Sequence, residues 1–539
     1  MSLRRAIQLI SLALFLFFLI VASTSFGSYL PVDSFLQLDP THFMGTLVSA
    51  RYFSLSFLTA ILVLLITLVL GRIFCGYICP LGTTLDGTDK IFCPSHEKRP
   101  RLGNLRPIKY YIIAFLFGAA VLGVSLIFIA APLSLITRFY GLVVYPVFAL
   151  FADGILSIIQ PLADRFGISS LVFAQIKTPR FATQFFILVF FAAIFASARF
   201  SPRFWCRYLC PSGALLALVS RKPLLRRRVT EDCTDCGKCV ESCPMGAIPE
   251  DPCLTLHEEC IVCRTCEKVC PVDAVAFTSE VPGQPSHGVE FSQTRRRFIA
   301  SGLTGAVTAA ISLTGLKAVS NQGALGQVAD PRLIRPPGAL PEKEFLSRCV
   351  RCGECMAACP TNTLQPIWFQ AGFIGLFSPA LNMRRGPCDP ECIRCGEVCP
   401  TNAITNLLKN ERIWAKLGTA VILRHACLAW EHQKKCLVCD EVCPFDAVVF
   451  KDEPEHEVPV PHVIEDRCAG CGYCEYFCPV QNQAAIVVTP MGALRQSRGS
   501  YEEEAKRQGL KLVLRPKDEY GLPESEEKDT RGPAPGFTE

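Results

Sequence analysis

The chain has 539 residues, half of them hydrophobic, with a mean hydropathy of +0.32, which points to several domains and to membrane segments. A net charge of +6 without a long basic tract leaves no electrostatic footprint for nucleic acid, and none is expected as a partner. Thirty cysteines far exceed ordinary usage, and their spacing decides between a disulfide framework and metal ligation.

Apolar runs come first. "IQLISLALFLFFLIVAS" follows Arg4 and Arg5, "LSFLTAILVLLITLVLG" ends at Gly71, "YYIIAFLFGAAVLGVSLIFIAA" ends at Ala131 and "FATQFFILVFFAAIFAS" ends at Ser197. Each is near the length that crosses a bilayer core. A further stretch from Gly141 holds Pro146 and Asp153 and reads as interfacial or re-entrant. Basic residues fill two loops: Arg72, Lys90, Lys98, Arg99, Arg101, Arg106 and Lys109 in one, and Arg199, Arg203, Arg207, Arg221, Lys222 and Arg226 to Arg228 in the other. Short basic loops stay in the cytoplasm, so four spans with the N-terminus inside satisfy both.

An internal repeat accompanies these runs. "RIFCGYICPLGTTL" starts at Arg72 and "RFWCRYLCPSGALL" at Arg203, each after an apolar run. Two cysteines cannot complete a four-thiolate site alone. Cys75, Cys79, Cys206 and Cys210 could complete one together if the repeat folds about a pseudo-twofold axis. They are assigned a redox or ligand role, against the plainer reading as packed thiols at helix ends.

Residues 221–280 carry C-x2-C-x2-C-x3-C-P twice, a pattern that holds two [4Fe-4S] clusters with the Cys-Pro cysteine reaching to the neighbour. Cys233, Cys236, Cys239 and Cys270 then form one ligand set, and Cys260, Cys263, Cys266 and Cys243 the other. Zinc, the simpler ion for paired C-x2-C motifs, does not account for the doubled eight-cysteine pattern.

The stretch "TRRRFIASGLTGAVTAAISLTG" from Thr294 looks like an export signal in mid-chain. The twin-arginine signal is a receptor-read address. Four preceding spans keep Arg295 and Arg296 in the cytoplasm, and Phe298 to Leu316 becomes a fifth span that anchors the chain uncut, although "KAVSN" near Ser320 resembles a weak cleavage site. Because clusters tie together distant residues, the domain that follows must cross already folded, with the twin-arginine translocase as a partner in biogenesis.

Residues 345–490 hold four more motifs, each ending in Cys-Pro: Cys349, Cys352, Cys355 and Cys359; Cys388, Cys392, Cys395 and Cys399; Cys427, Cys436, Cys439 and Cys443; and Cys468, Cys471, Cys474 and Cys478. Six [4Fe-4S] clusters follow, and only Cys93 and Cys253 stand outside the patterns, as structural thiols. The charged tail from Arg495 reads as poorly ordered. No span contains histidine and no C-x-x-C-H motif occurs, so no haem is expected. No catalytic residue is assigned.

The expected fold class is an α-helical membrane domain of four spans plus a twin-arginine signal anchor, with α+β ferredoxin-like 2[4Fe-4S] and 4[4Fe-4S] domains. The expected boundaries are 1–220 for the membrane domain, 221–280 for the cytoplasmic ferredoxin domain, 281–297 for a linker, 298–316 for the signal anchor, 317–344 for a second linker, 345–490 for the periplasmic ferredoxin domain and 491–539 for the tail.

The "CGYICP" and "CRYLCP" architecture followed by a double ferredoxin module resembles NapH-type membrane quinol dehydrogenase components, with parts shared by NosR-like and CcoG-like proteins. The portion from Thr294 resembles NapG/MauM-type ferredoxins. "TRRRFIA" departs from that family's signal in lacking the lysine and in Ile299. The resemblance implies a fusion at the bacterial inner membrane that takes electrons from the quinone pool and passes them to a periplasmic reductase or cytochrome. It also implies that the outer motifs of 345–490 pair, exchanging Cys359 and Cys478, and that the inner motifs exchange Cys399 and Cys443. A competing implication is a maturation factor that delivers electrons to a metalloenzyme client.

Overall fold

The structure is a computed structural model that describes residues 3–23, 30–93, 105–168, 176, 178–279, 295–320 and 333–515. Lys98, Arg99 and Arg101 lie outside the described residues, as do most of the first linker, residues 321–332 of the second and the chain beyond 515. The chain divides into two compact units, Met1–Leu381 with Ile393–Leu407, and Asn382–Cys392 with Leu408–Glu539. The division falls inside the stretch 345–490, within its second cysteine motif.

The first unit is built on apolar helices: α1 (Leu3–Ala22), α2 (Pro40–Ala50), α3 (Leu58–Leu70), α4 (Pro80–Phe92), α5 (Pro107–Val121), α6 (Pro132–Phe139), α7 (Tyr145–Arg165), α8 (Gln184–Ala196), α9 (Pro211–Val219) and α10 (Arg295–Ser320). Proline opens α2, α4, α5, α6 and α9, where its missing N–H costs nothing. Among the described residues two helical runs could cross a membrane by length and composition, Leu3–Ala22 and Pro132–Arg165. The runs Leu55–Leu70, Pro107–Val121 and Gln184–Arg199 are apolar but shorter, so the four expected spans are not matched helix for helix.

The stretch from Gly141 departs from the re-entrant expectation. It continues α6 through a π-helical turn, Tyr140–Val144, into α7, making one helical run of 34 residues. Pro146 falls at the start of α7, just past that turn, where a proline is tolerated.

The Gly- and Ala-rich α10 packs along α5. A Cβ placed on Gly118 would collide with the Gly302 carbonyl, and one on Gly305 with the Phe115 backbone. Small residues let two backbones approach this closely, the packing used between helices where water supplies no hydrophobic drive.

Among the described residues four two-stranded antiparallel sheets carry the cysteine-rich parts. In the first unit β1 (Arg226–Val229) pairs with β2 (Val275–Thr278), closing the 226–278 module end to end, and β3 (Leu364–Pro366) pairs with β4 (Pro379–Leu381). In the second unit β5 (Thr419–Ile422) pairs with β8 (Ile486–Thr489), and β6 (Val448–Lys451) with β7 (Val460–Val463).

The described part of the tail corrects another expectation. Residues 495–515 are ordered against the second unit. Glu411, on α11 (Lys409–Trp414), accepts hydrogen bonds from the Ser500 hydroxyl and from the Tyr501 and Glu502 amides at the start of α12 (Tyr501–Arg507). Tyr501 and Leu512 are buried and Arg515 meets Asp440 and Asp446. The charges that suggest disorder are used as caps and ion pairs.

Candidate metal centres

The cysteine loops share one backbone solution. Two residues after the first cysteine of each regular motif the chain turns left-handed, at Asp235, Val262, Arg351 and Gly470, and again two residues later at Gly237, Arg264, Gly353 and Gly472. A third left-handed residue lies three positions past Cys-Pro cysteines, at Gly246, Asp273, Asn362, Asn402 and Asp446. Such residues are uncommon outside glycine, and here they curl the loop so that cysteines one turn apart face one point.

The curl also aims amides at sulfur. Ala247, Ala274 and Ala447 donate their N–H to the thiols of Cys243, Cys270 and Cys443 at 3.2–3.4 Å, and Ile404 and Ala485 do so to Cys399 and Cys478. Two buried arginines reach sulfur as well: Arg227 to Cys239 at 3.5 Å and Arg412 to Cys388 at 3.2 Å. These donors stabilise a thiolate-bound cluster and tune its potential.

The thiols gather as follows. Cys243, Cys260, Cys263 and Cys266 line one small cavity, and Cys239 and Cys270 pack in the adjoining apolar cluster. In the first unit Cys399 lies in electrostatic range of Cys349, Cys352 and Cys355. In the second unit Cys478 joins Cys427, Cys436 and Cys439 around a cavity, while Cys443 sits with Cys468, Cys471 and Cys474. The outer-with-outer and inner-with-inner exchange is therefore corrected: Cys478 goes to the third motif, Cys443 to the fourth and Cys399 to the first. Consecutive motifs close shorter loops, which cost less chain entropy.

Burial pushes the thiols of Cys266 and Cys439 up to about 12 and that of Cys399 up to about 11. Such groups hold a proton at neutral pH unless a metal displaces it. Convergent thiols, amide donors to sulfur and cavities at the thiol tips fit [4Fe-4S] clusters. Cys253, assigned above as a structural thiol, lies with Cys233 and Asp235 in a group whose ligand atoms are all within 4.8 Å of one another. Nothing in its sequence spacing marks it.

The repeated Cys-x3-Cys-Pro segments also share one conformation. Each is a π-helical turn, Phe74–Ile78 or Trp205–Leu209, followed by an extended cysteine that begins the next helix with proline behind it. Proline forces the residue before it out of the helical region, so Cys79 and Cys210 become the helix caps. Cys79, Cys206 and Cys210 are buried, and Cys75, Cys79, Cys206 and Cys210 are all electrostatic neighbours. Arg203 reaches across the repeat to the carbonyls of Cys75 and Gly82, at 3.0 and 3.1 Å. Arg72 reaches across the other way, its Nη2 2.8 Å from where a Cβ of Gly213 would stand.

Carboxylates break that symmetry. Arg203 pairs with Asp86, seven residues past Cys79, but Ala217 occupies the matching position past Cys210. Arg72 instead meets Glu259 of the 226–278 module at 2.9 Å, together with Lys109. The charges counted as topology signals in the sequence thus include the residues that dock this module.

The two cysteine-rich parts of the first unit attach at opposite ends of α5. At its start Arg106 donates to the Gly246 carbonyl and Lys109 binds Glu259. Past its end the Ser125 carbonyl accepts from Arg351 at 2.7 Å, and Arg351 stacks on Phe128. Nearby, Ser49 and Ser134 donate to the carbonyls of Ser347 and Val350. A helix of 15 residues separates these contacts by about 22 Å.

Known proteins match this arrangement. A family model described as a 4Fe-4S binding domain matches residues 53–99 and 183–230, and two others with that description match 227–248 with 345–365, and 257–273. A 4Fe-4S dicluster domain matches 434–482. The methylamine utilization ferredoxin-type protein MauM of Methylorubrum extorquens is 35% identical over 208 residues, 37% of this chain and 90% of that protein. The chain belongs to the MauM/NapG ferredoxin-type family. The ferredoxin-type protein NapG of Escherichia coli is 34% identical over 176 residues, 31% of this chain and 75% of that protein. The putative electron transport protein YccM of Escherichia coli is 29% identical over 233 residues, 41% of this chain and 54% of that protein. Membership makes this MauM/NapG-type chain an iron–sulfur electron-transfer protein with several [4Fe-4S] clusters and a redox partner.

Proposed function

We propose that the chain is a membrane-bound electron-transfer protein of quinol dehydrogenase type, a NapH-like helical half fused to the MauM/NapG-like half. Electrons enter from the quinone pool and leave to a periplasmic reductase or cytochrome. Six [4Fe-4S] clusters on the 24 cysteines named above, when bound, supply the one-electron carriers. The observation that carries this reading is the attachment of cysteine-rich parts at opposite ends of α5. An apolar helix between two cluster-bearing parts supports electron flow from one part to the other through the helical half.

Lipid contact is supported by the outer faces of α3, α7 and α8, where Leu62, Leu65, Phe148, Phe151, Phe185 and Phe186 are exposed. Basic residues at the Cys-x3-Cys-Pro end favour the cytoplasm for the 226–278 module. The second cysteine-rich stretch is then periplasmic, delivered folded by the twin-arginine translocase, with α10 retained as an anchor. The protein's own side chains position the modules: Glu259 with Arg72 and Lys109 at one end, Arg351 with Ser125 at the other.

The test is reduction of the purified, cluster-loaded chain by a quinol analogue, followed by EPR. Reduced cluster signals are expected. No reduction on any timescale overturns the quinol donor.

A further inference from the structure

We propose that Cys75, Cys79, Cys206 and Cys210 together hold a seventh centre, a [4Fe-4S] cluster shared by the two repeats, that relays electrons through the helical domain. The proposal deepens the electron-transfer reading above by supplying the step between its two cluster-bearing parts. Each family match to a 4Fe-4S binding domain, at 53–99 and at 183–230, contains one Cys-x3-Cys-Pro pair. Neither pair can satisfy four iron corners alone. The repeats bring both pairs to one buried place, each held at the junction of a π-helical turn and a proline-started helix.

A second observation points to an anion there. Arg72 is fully buried, and its Nε and Nη2 have no hydrogen-bond partner among the described residues. Besides Glu259, which meets its Nη1, its electrostatic partners include Cys75 and Cys210. A buried guanidinium with idle donors is costly beside neutral thiols. Beside four thiolates on a cluster it is a charge-assisted donor of the kind Arg412 provides to Cys388. Arg203, also fully buried, brings a second guanidinium from the other repeat, paired there with Asp86. Gly82 and Gly213 hold matching positions three residues past Cys79 and Cys210, and a Cβ at Gly213 would press on Arg72.

Position supplies the role. Gly76, next to Cys75, packs on the 226–278 module so closely that a Cβ would stand 2.6 Å from the carbonyl of Ile261, between Cys260 and Cys263. Tyr77 donates to the carbonyl of Val262 at 2.9 Å. On the other side a buried polar chain leaves the site. Ser212, two residues past Cys210, donates to Asp39, which caps α2 and lies 3.9 Å from His42. His42 Nε2 meets the Ser134 hydroxyl at 2.8 Å, and Ser134 donates to the carbonyl of Val350, next to Cys349, at 2.9 Å. The site therefore stands between the set of Cys260 and the set of Cys349. Each transfer moves one electron between neighbouring centres, with no bond made or broken.

The experiment is iron and sulfide analysis with an EPR redox titration of the full-length chain and of Cys79→Ser with Cys210→Ser. The wild type is expected to hold about 28 iron atoms, and the variant to lose about four together with one EPR signal. The variant's Cys349-side clusters should no longer be reduced by electrons entering at the 226–278 module. Wild-type iron near 24, with iron and signals unchanged in the variant, overturns the proposal. Should the double variant fail to fold, Arg72→Gln keeps all four thiols. A lowered midpoint potential for one signal alone is expected, and no change in any signal overturns the proposal. Iron content does not depend on the donor, so about 28 iron atoms without reduction by quinol would sink the quinol reading and leave this site standing.

Discussion

Single side chains set how readily each thiolate site accepts an electron. Arg412 is buried and donates to Cys388. An electron added to the cluster there is stabilised by that cation, so Arg412→Gln should lower one midpoint potential by about 60 mV, the equivalent of about 1.4 kcal/mol. EPR redox titration reads the shift, and an unmoved potential contradicts the role. His257 gives a pH effect. Burial, with Arg226, Arg227 and Arg228 nearby, pushes its pKa down from 6.5 to about 4. Above pH 6.5 it is neutral folded and unfolded. As the pH falls from 6.5 toward 4 the unfolded chain takes the proton first, so stability is lost, by at most about 3 kcal/mol. His257→Gln should flatten the pH dependence of the 226–278 module's unfolding across that window. The cysteine motifs were legible in the sequence because three of the thiolates in each set come from one short run of chain, while the fourth arrives from another motif. Arg412, Arg227 and Glu259 were not, since nothing local marks a side chain that acts on sulfur or charge far along the chain.

At the scale of elements, glycines and caps decide what packs. Gly305→Val would drive a side chain into the Phe115 backbone and should separate α10 from α5. Disulfide cross-linking between cysteines introduced on the two helices measures this, and unchanged cross-linking would refute the packing. Leu512, buried after α12, should cost about 2–4 kcal/mol when changed to alanine, read by denaturant unfolding of the second unit. The repeat of Arg72 and Arg203 was visible in sequence, and its backbone follows from Cys-Pro chemistry. The stretch from Gly141 departs from its interfacial or re-entrant reading because Pro146 resembles a helix breaker until the π turn before it is seen. The tail up to residue 515 departs from its poorly ordered reading because charge alone does not reveal that Glu411 caps a helix. Pairing of the Cys-Pro cysteines could not be read from spacing, since each can reach either neighbour.

At the scale of the molecule, the chain joins cluster-bearing parts to the two ends of one apolar helix. Glu259 secures one junction. Glu259→Gln leaves Arg72 and Lys109 buried without their carboxylate and should cost about 3–5 kcal/mol, releasing the 226–278 module to proteolysis. A protease-resistant variant would contradict that docking. The central claim is that this chain is a many-centred electron carrier, and iron and acid-labile sulfide per purified chain, with an EPR redox titration on the same sample, test it most directly. The account predicts at least about 24 iron atoms in four-iron clusters, rising to about 28 with the shared centre. A total near eight would contradict it.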